Sequence, residues 1–309
     1  MIISVSRRTD IPSFYSEWFL NRIREKFVLV PNPFNPKQVS RVSLTPDVVD
    51  CIVFWTKNPA PMLDKLDQLE NFKYYFQFTL NPYGKEIEAN LPSLDKRIDT
   101  FKRLSDRIGK EKVIWRYDPI LTNEKYNTDF HKTAFAEIAT LLKDYTEKCM
   151  LGFIDHYKHI HATLRSMNIG LLTTEEIQEM AISFRQTIDD TPLLLNTCTV
   201  KIDLTDMGIP AGMCIDRELV ERITGYPIST RKDKNQRDVC RCIESIDIGT
   251  YDTCFNGCLY CYANTAEHKP LRNRQLHDPA SPKLVGQVKD DDIIKDRITQ
   301  SLRRDPTLF

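Results

Sequence analysis

The stretch Ser245-Ile246-Asp247-Ile248-Gly249-Thr250-Tyr251-Asp252-Thr253-Cys254-Phe255-Asn256-Gly257-Cys258-Leu259-Tyr260-Cys261 runs a short apolar strand into a loop with three cysteines spaced C-x3-C-x2-C. Gaps of three and then two residues leave no room for a strand between ligands. The backbone must curl around whatever the thiols hold, and Gly257 supplies the conformational freedom. Three thiolates on one loop suit three irons of a [4Fe-4S] cubane, with the fourth iron open to a small chelating ligand. Tyr260 and Tyr262 interleave with these cysteines, placed to shield a cluster or to stack on its ligand. Zinc also takes closely spaced cysteines, and spacing alone leaves that alternative open. A disulfide framework fits less well.

Working outward from residue 245, short β-branched and aromatic runs alternate with helical patterns along the chain, as parallel βα units require. Strands are expected over 2–6, 51–55, 74–79, 113–117, 150–154, 193–197 and 245–249, and helices over 13–26, 93–108, 130–145, 174–188 and 216–224. Ser93 and the pair Thr174-Glu175 read as helix starts. The strands are almost continuously hydrophobic, which favours a parallel (β/α) barrel, or a partial barrel of about six or seven strands, over an open sheet. Residues 1–264 would form this α/β barrel, including the cysteine-rich segment 198–264. Residues 265–309 read as a tail wrapped on the barrel, ending in a helix over 291–304.

Polar residues gather where these strands end. Arg7, Arg8 and Asp10 follow the first; Lys57 and Asn58 the second; Gln77 and Thr79 lie on the third. Arg116 and Asp118 close the fourth, Asp155 and His156 the fifth, and Asn196 the sixth. In parallel α/β barrels, loops converge at the carboxyl ends of the strands, and the chemistry collects there. Any single residue of this set is equally well a cap or an ion-pair partner; six strands ending alike point to a site.

The cysteine loop resembles the signature of radical S-adenosylmethionine (SAM) enzymes. The phrases Ser6-Arg7-Arg8-Thr9-Asp10-Ile11-Pro12, Phe54-Trp55-Thr56-Lys57-Asn58-Pro59, Trp115-Arg116-Tyr117-Asp118-Pro119, Gln236-Arg237 and Asp247-Ile248-Gly249-Thr250-Tyr251 resemble the domain of unknown function 1848 family over nearly the whole chain. Radical SAM enzymes normally carry the loop after their first strand, whereas here it lies in the last fifth. The resemblance therefore implies a permuted strand order, with the last strand beside the first. It further implies a [4Fe-4S] cluster on Cys254, Cys258 and Cys261, with SAM on its open iron. Arg7, Arg8, Asp10 and Tyr260 would then bind the cofactor, although the Gly-Gly-Glu triplet of that superfamily is missing. Lys57, Arg116 and Asp118 would serve substrate or catalysis. An electron donor such as ferredoxin or flavodoxin is implied, and the substrate is not.

Cys198, Cys214, Cys240 and Cys242 form a second set, suited to a closed [4Fe-4S] cluster or to zinc. Cys51 and Cys149 sit in apolar strands and read as core. No histidine is assigned to metal, including the cluster His156, His159 and His161. Lys plus Arg equals Asp plus Glu at 43 each, so no global basic field points to nucleic acid. No apolar run is long enough to span a membrane, and the start lacks signal-peptide character, so a cytoplasmic enzyme is expected. The alternative is a non-catalytic binding protein, stabilised by zinc or a cluster and serving a partner such as nucleic acid.

Overall fold

The computed structural model describes residues 1–155 and 157–304. Its strands are β1 (Ile2–Val5), β2 (Phe27–Asn32), β3 (Asn35–Ser43), β4 (Cys51–Thr56), β5 (Tyr74–Thr79), β6 (Val113–Ile120), β7 (Lys148–Phe153), β8 (Leu194–Thr197), β9 (Ile246–Asp247) and β10 (Ile293–Asp296). The helices are α1 (Ile11–Phe14), α2 (Ser16–Glu25), α3 (Ala60–Leu63), α4 (Leu94–Ile108), α5 (Thr128–Leu142), α6 (His161–Ser166), α7 (Thr174–Thr187), α8 (Arg217–Thr224) and α9 (His268–Gln275). Seven strands form one parallel sheet in the order β8-β7-β6-β5-β4-β1-β9. The last strand of this sheet thus lies beside the first, with Ile3 opposite Ile246 and Ser4 opposite Asp247. Among the described residues β8 and β9 do not pair, so the α/β fold is a partial barrel and stays open between them.

Alternation along each strand assigns its side chains to two faces. On one face Ile3, Val5, Ile52, Phe54, Phe76, Phe78, Trp115 and Leu151 pack against helical residues such as Phe19, Phe101, Phe135 and Phe184. Burying one such ring contributes about 1.5–3 kcal/mol, and Phe54 adds a stacking contact with Phe76 at 4.6 Å. On the other face Ile2, Cys51, Val53, Tyr75, Ile114 and Met150 are covered by Ile215, Leu219, Val220, Ile228 and Ile243. Two buried faces explain why the strands read as unbroken apolar runs. The covering segment fills the amino-terminal half of this inner face. Further along the same strands, the inner face carries Trp55, Gln77, Arg116 and Asp118.

Capping sets several boundaries. Asp216 accepts from the backbone of Glu218 and Leu219 to start α8, and Gly225 at φ +81° ends it. The capping box of α7 is Thr173 with Glu176, one residue earlier than the expected start at Thr174. Ser93 precedes α4 without a side-chain cap bond. The helix expected over 13–26 is two helices, because Tyr15 leaves the helical region and donates to the Thr253 carbonyl at 2.7 Å.

Residues 27–43 lie outside the strands expected from the sequence. β2 and β3 nevertheless pair antiparallel, with Phe27-Val28-Leu29-Val30 supplying the strand character. The expected final helix is likewise corrected: Ile293 and Ile294 pair with the open edge of β3 as β10. Two consecutive β-branched residues opposite an unpaired edge favour strand over helix. Past residue 264, the Ser281 carbonyl accepts from the Trp18 indole at 2.9 Å and the Ala280 carbonyl from Arg22 at 2.8 Å. No helix among the described residues is long and apolar enough to cross a membrane.

Candidate metal centre

Asp247, at the end of β9, ties the start of the cysteine segment to β1. Its carboxylate accepts from Ser4 Oγ at 2.8 Å, Ser6 Oγ at 2.7 Å, Arg7 N at 2.8 Å and Gly249 N at 3.0 Å. Gly249 allows the approach, because a Cβ there would lie 2.0 Å from Ser6 Oγ. The loop then curls as its spacing requires, with Gly257 at φ +67° and no room for a Cβ beside Asn90. Residues 87–90 cradle it: Leu259 N donates to Ile87 O at 3.0 Å, Asn90 N to Asn256 O at 3.1 Å, and Asn90 Nδ2 to Phe255 O at 2.8 Å. Asp10 holds the other side, accepting from Asn256 Nδ2 at 3.0 Å and Lys57 N at 2.8 Å. Burial raises the Asp10 carboxyl above its usual range despite these bonds.

Cys254, Cys258 and Cys261 are free, half-buried thiols on this one loop. Burial pushes all three up, and each lies within electrostatic reach of at least one of the others. Lys57 acts the opposite way on Cys258 and Cys261. Its ammonium lies 2.8 Å from Glu88 Oε1 and 2.7 Å from the Tyr260 hydroxyl, while Tyr260 also donates to Glu88. Arg97 approaches the second Glu88 oxygen at 3.4 Å. Glu88, 1% exposed, is thus a buried carboxylate between two cations and the tyrosine of the cysteine loop.

Arg7 reaches the loop through its backbone, where its carbonyl accepts from Tyr262 at 2.5 Å. Its guanidinium turns elsewhere, to Ser245 Oγ at 3.3 Å and over the Trp55 ring at 5.0 Å. Arg8 donates to Gly249 O at 3.2 Å and stacks on Tyr251. Arg116 also lies over the Trp55 ring, at 5.2 Å, and is paired with Asp118. Asp118 finds space only because Gly152 has no side chain: a Cβ there would lie 2.3 Å from Asp118 Oδ1.

The second cysteine set is brought together by the fold. Cys198 and Cys214 stand 3.1 Å apart, Arg116 Nη1 donates to Cys214 Sγ at 2.7 Å, and Cys214 N and Ile215 N donate to Cys242 Sγ at 3.3 and 3.4 Å. Hydrogen bonds from Cys214 and Cys240, with the charge of Arg7, hold the Cys242 thiol well below its usual value. Cys198, Cys214 and Cys242 are thus linked in turn through a sulfur contact and a backbone hydrogen bond, and Cys240 lies two residues before Cys242. Among the described residues, no three His, Cys, Asp or Glu side chains already converge as a metal's ligands would. Cys51 and Cys149 are buried in strands as expected. His131 is buried between Tyr117 and Leu121 O, each at 2.8 Å; His159 contacts Cys261 O at 3.3 Å; His156 lies outside the described residues.

Glu88, Arg97, Asp247 and Trp55 were not among the expected site residues. Asp247 and Trp55 stand inside two of the phrases quoted above, so a signal existed. Glu88 and Arg97 lie in segments with no motif, and only the fold joins them to the loop.

Residues 2–263 match the family described as domain of unknown function (DUF1848), and the chain belongs to that family. No curated protein and no solved structure matches it.

Proposed function

We propose that the protein is a cytoplasmic radical SAM-type enzyme whose first metal site is Cys254, Cys258 and Cys261. The observation that carries this reading is the pinning of a three-thiol loop beside β1, at the carboxyl edge of a parallel sheet, by Asp247, Asp10 and Gly257. The donor set fits a cubane by its chemistry: three free thiols on one short loop, an odd count that leaves one iron unligated. Cys254, Cys258 and Cys261 would hold a [4Fe-4S] cluster there, and the chemistry it would supply is one-electron reduction for reductive cleavage of SAM.

The chain's own residues have separable tasks in this reading. Lys57 brings positive charge to the Cys258 side of the loop, and Glu88 fixes its position. Tyr260 locks the loop to that pair. Arg8 and Asp10, beside the loop, orient the methionine moiety. Arg116 and Asp118 face the inner side of the barrel with the substrate. Cys198, Cys214, Cys240 and Cys242 are a second metal site, a cluster or zinc, that ties segment 198–243 to the sheet. An acidic one-electron carrier such as ferredoxin or flavodoxin would reduce the first site.

The test is anaerobic purification followed by iron, sulfide and zinc analysis, then incubation with SAM and dithionite. Brown protein with roughly four to eight irons per chain, forming 5′-deoxyadenosine, is expected. Colourless protein with stoichiometric zinc on the first loop, yielding no deoxyadenosine, would favour the non-catalytic alternative.

A further inference from the structure

The three tryptophans are not treated alike. Trp18 and Trp115 are 0% exposed, and each indole donates to a backbone carbonyl, Ser281 O at 2.9 Å and Leu80 O at 3.0 Å. Trp55 is half-buried, and its indole nitrogen is shielded from solvent without a partner. Arg7, stacked on it at 5.0 Å, leaves Nη2 shielded and unpartnered as well. Buried polar groups are almost always paired, and leaving a donor unmade costs about 1–3 kcal/mol. Two orphans on touching side chains are donors only, so what they lack is an acceptor.

The surroundings favour an acceptor with negative charge. Arg7 and Arg116 both lie over the same indole, at 5.0 and 5.2 Å, and although Asp233 stands 4.0 Å from Arg7 Nη1, Nη2 is left without a partner. Arg116 has its terminal nitrogens engaged by Asp118, Gln77 and Cys214, so it contributes field, while Arg7 keeps an N–H to give. A guanidinium edge beside an indole N–H matches the oxygens of a carboxylate or phosphate. The location also matters: Trp55 is on the inner face of the sheet, where the covering segment stops. The Arg7 guanidinium turns to Ser245 Oγ at 3.3 Å and to Asp233 at 4.0 Å through Nη1, which leaves Nη2 as the unmatched donor.

We propose that Trp55 Nε1 and Arg7 Nη2, in the field of Arg116, form a subsite for an oxyanion group of a small-molecule substrate. This names the substrate class for the site proposed above, yet binding at the subsite needs neither the cluster nor cleavage of SAM.

The experiment titrates the protein as purified with malonate and with inorganic phosphate, by calorimetry and by the indole N–H resonances. Saturable millimolar binding by one or both anions is expected, shifting the single indole signal that Trp55→Phe deletes and leaving the other two in place. Affinity should fall roughly tenfold or more in Trp55→Phe and in Arg7→Gln, as loss of a charge-assisted bond implies, and stay unchanged in Arg103→Gln on the surface of α4. Trp55→Phe keeps the stacked ring, so it separates lost donation from lost folding. Buffer-level heat, or equal affinity in Trp55→Phe and wild type, would mean that ordered water alone satisfies the two donors, and the proposal fails. SAM competing with malonate for the Trp55 signal would assign the subsite to the SAM carboxylate and overturn a substrate role. Deoxyadenosine formation with dithionite, measured in parallel, reports the cluster reading separately.

Discussion

The two cysteine regions assemble by different physical routes. Cys254, Cys258 and Cys261 are neighbours by covalent spacing, and one left-handed glycine with a cradle at 87–90 shapes their loop. Cys198, Cys214 and the pair Cys240 and Cys242 come from separate segments that the fold brings together, with Tyr75 and Gln77 on β5 donating to Cys214 O at 2.7 and 2.8 Å. Their electrostatics differ too. Burial pushes the loop thiols up, and the nearest cation, Lys57, is shared with Glu88. In the second set Arg116 donates directly to a sulfur, and the thiols bond one another. A local ligand loop can bind and lose metal without unfolding its scaffold, whereas a dispersed set couples metal to the fold.

The strongest way to break this contrast is by deletion. Cys254→Ala, Cys258→Ala or Cys261→Ala is expected to abolish 5′-deoxyadenosine formation while the protein keeps its thermal midpoint. Cys240→Ala or Cys242→Ala should lower the midpoint and leave measurable cleavage. Chromatography of the nucleoside beside calorimetric melting checks both, and the contrast collapses if the two groups of variants behave alike.

A smaller effect is expected at the ion pairs of the two regions. Glu88→Gln strands two buried cations beside the loop and should cost about 3–5 kcal/mol in denaturant unfolding. Arg237→Gln breaks the Arg237–Asp155 pair near the second set, where both side chains are about half exposed, and should cost less than about 1 kcal/mol. Comparable losses would mean that the network around Glu88 is not what secures the loop.

Acid supplies the background that both regions share. Burial lowers His131 from 6.5 to about 4, with Nε2 donating to Leu121 O and Nδ1 accepting from Tyr117. As pH falls the unfolded chain takes up the proton first, so this contribution is complete above pH 6.5 and is lost on descending toward pH 4. The full loss is on the order of 3 kcal/mol. Unfolding measured at pH 7 and pH 5 should show the decline in wild type and much less of it in His131→Gln. Both metal sites should feel it equally, because His131 contacts neither.

Much of the fold was legible because it depends on local pattern. The seven parallel strands announce themselves by β-branched and aromatic runs, and β9 does lie beside β1, as closing the barrel would require. β2, β3 and β10 were missed because prolines and charges mask strands whose pairing is decided across the molecule. Arg7 and Arg8 were expected near the loop from the resemblance to radical SAM strand order; the Arg7 carbonyl does accept from Tyr262, but its guanidinium lies over Trp55, which no spacing rule predicts. Glu88 was invisible for a related reason: its partners Lys57, Arg97 and Tyr260 are joined only by tertiary contact.

The insertion of β9 beside β1 also sets a timetable. Ser6 and Asp247, which hydrogen-bond in the finished protein, are 241 positions apart. A ribosome adding about 5–20 residues per second takes roughly 12 to 50 s to bridge that gap. Throughout that interval one edge of β1, whose residues are all buried in the finished fold, has no neighbour on the growing chain. An unprotected apolar edge invites pairing with other nascent chains. The loop that would hold the metal is also nearly the last part of the sheet to emerge, so its scaffold stands ready before its ligands do. Slower translation therefore lengthens the exposure of β1, and the yield of folded protein should depend on how well that edge is shielded during synthesis.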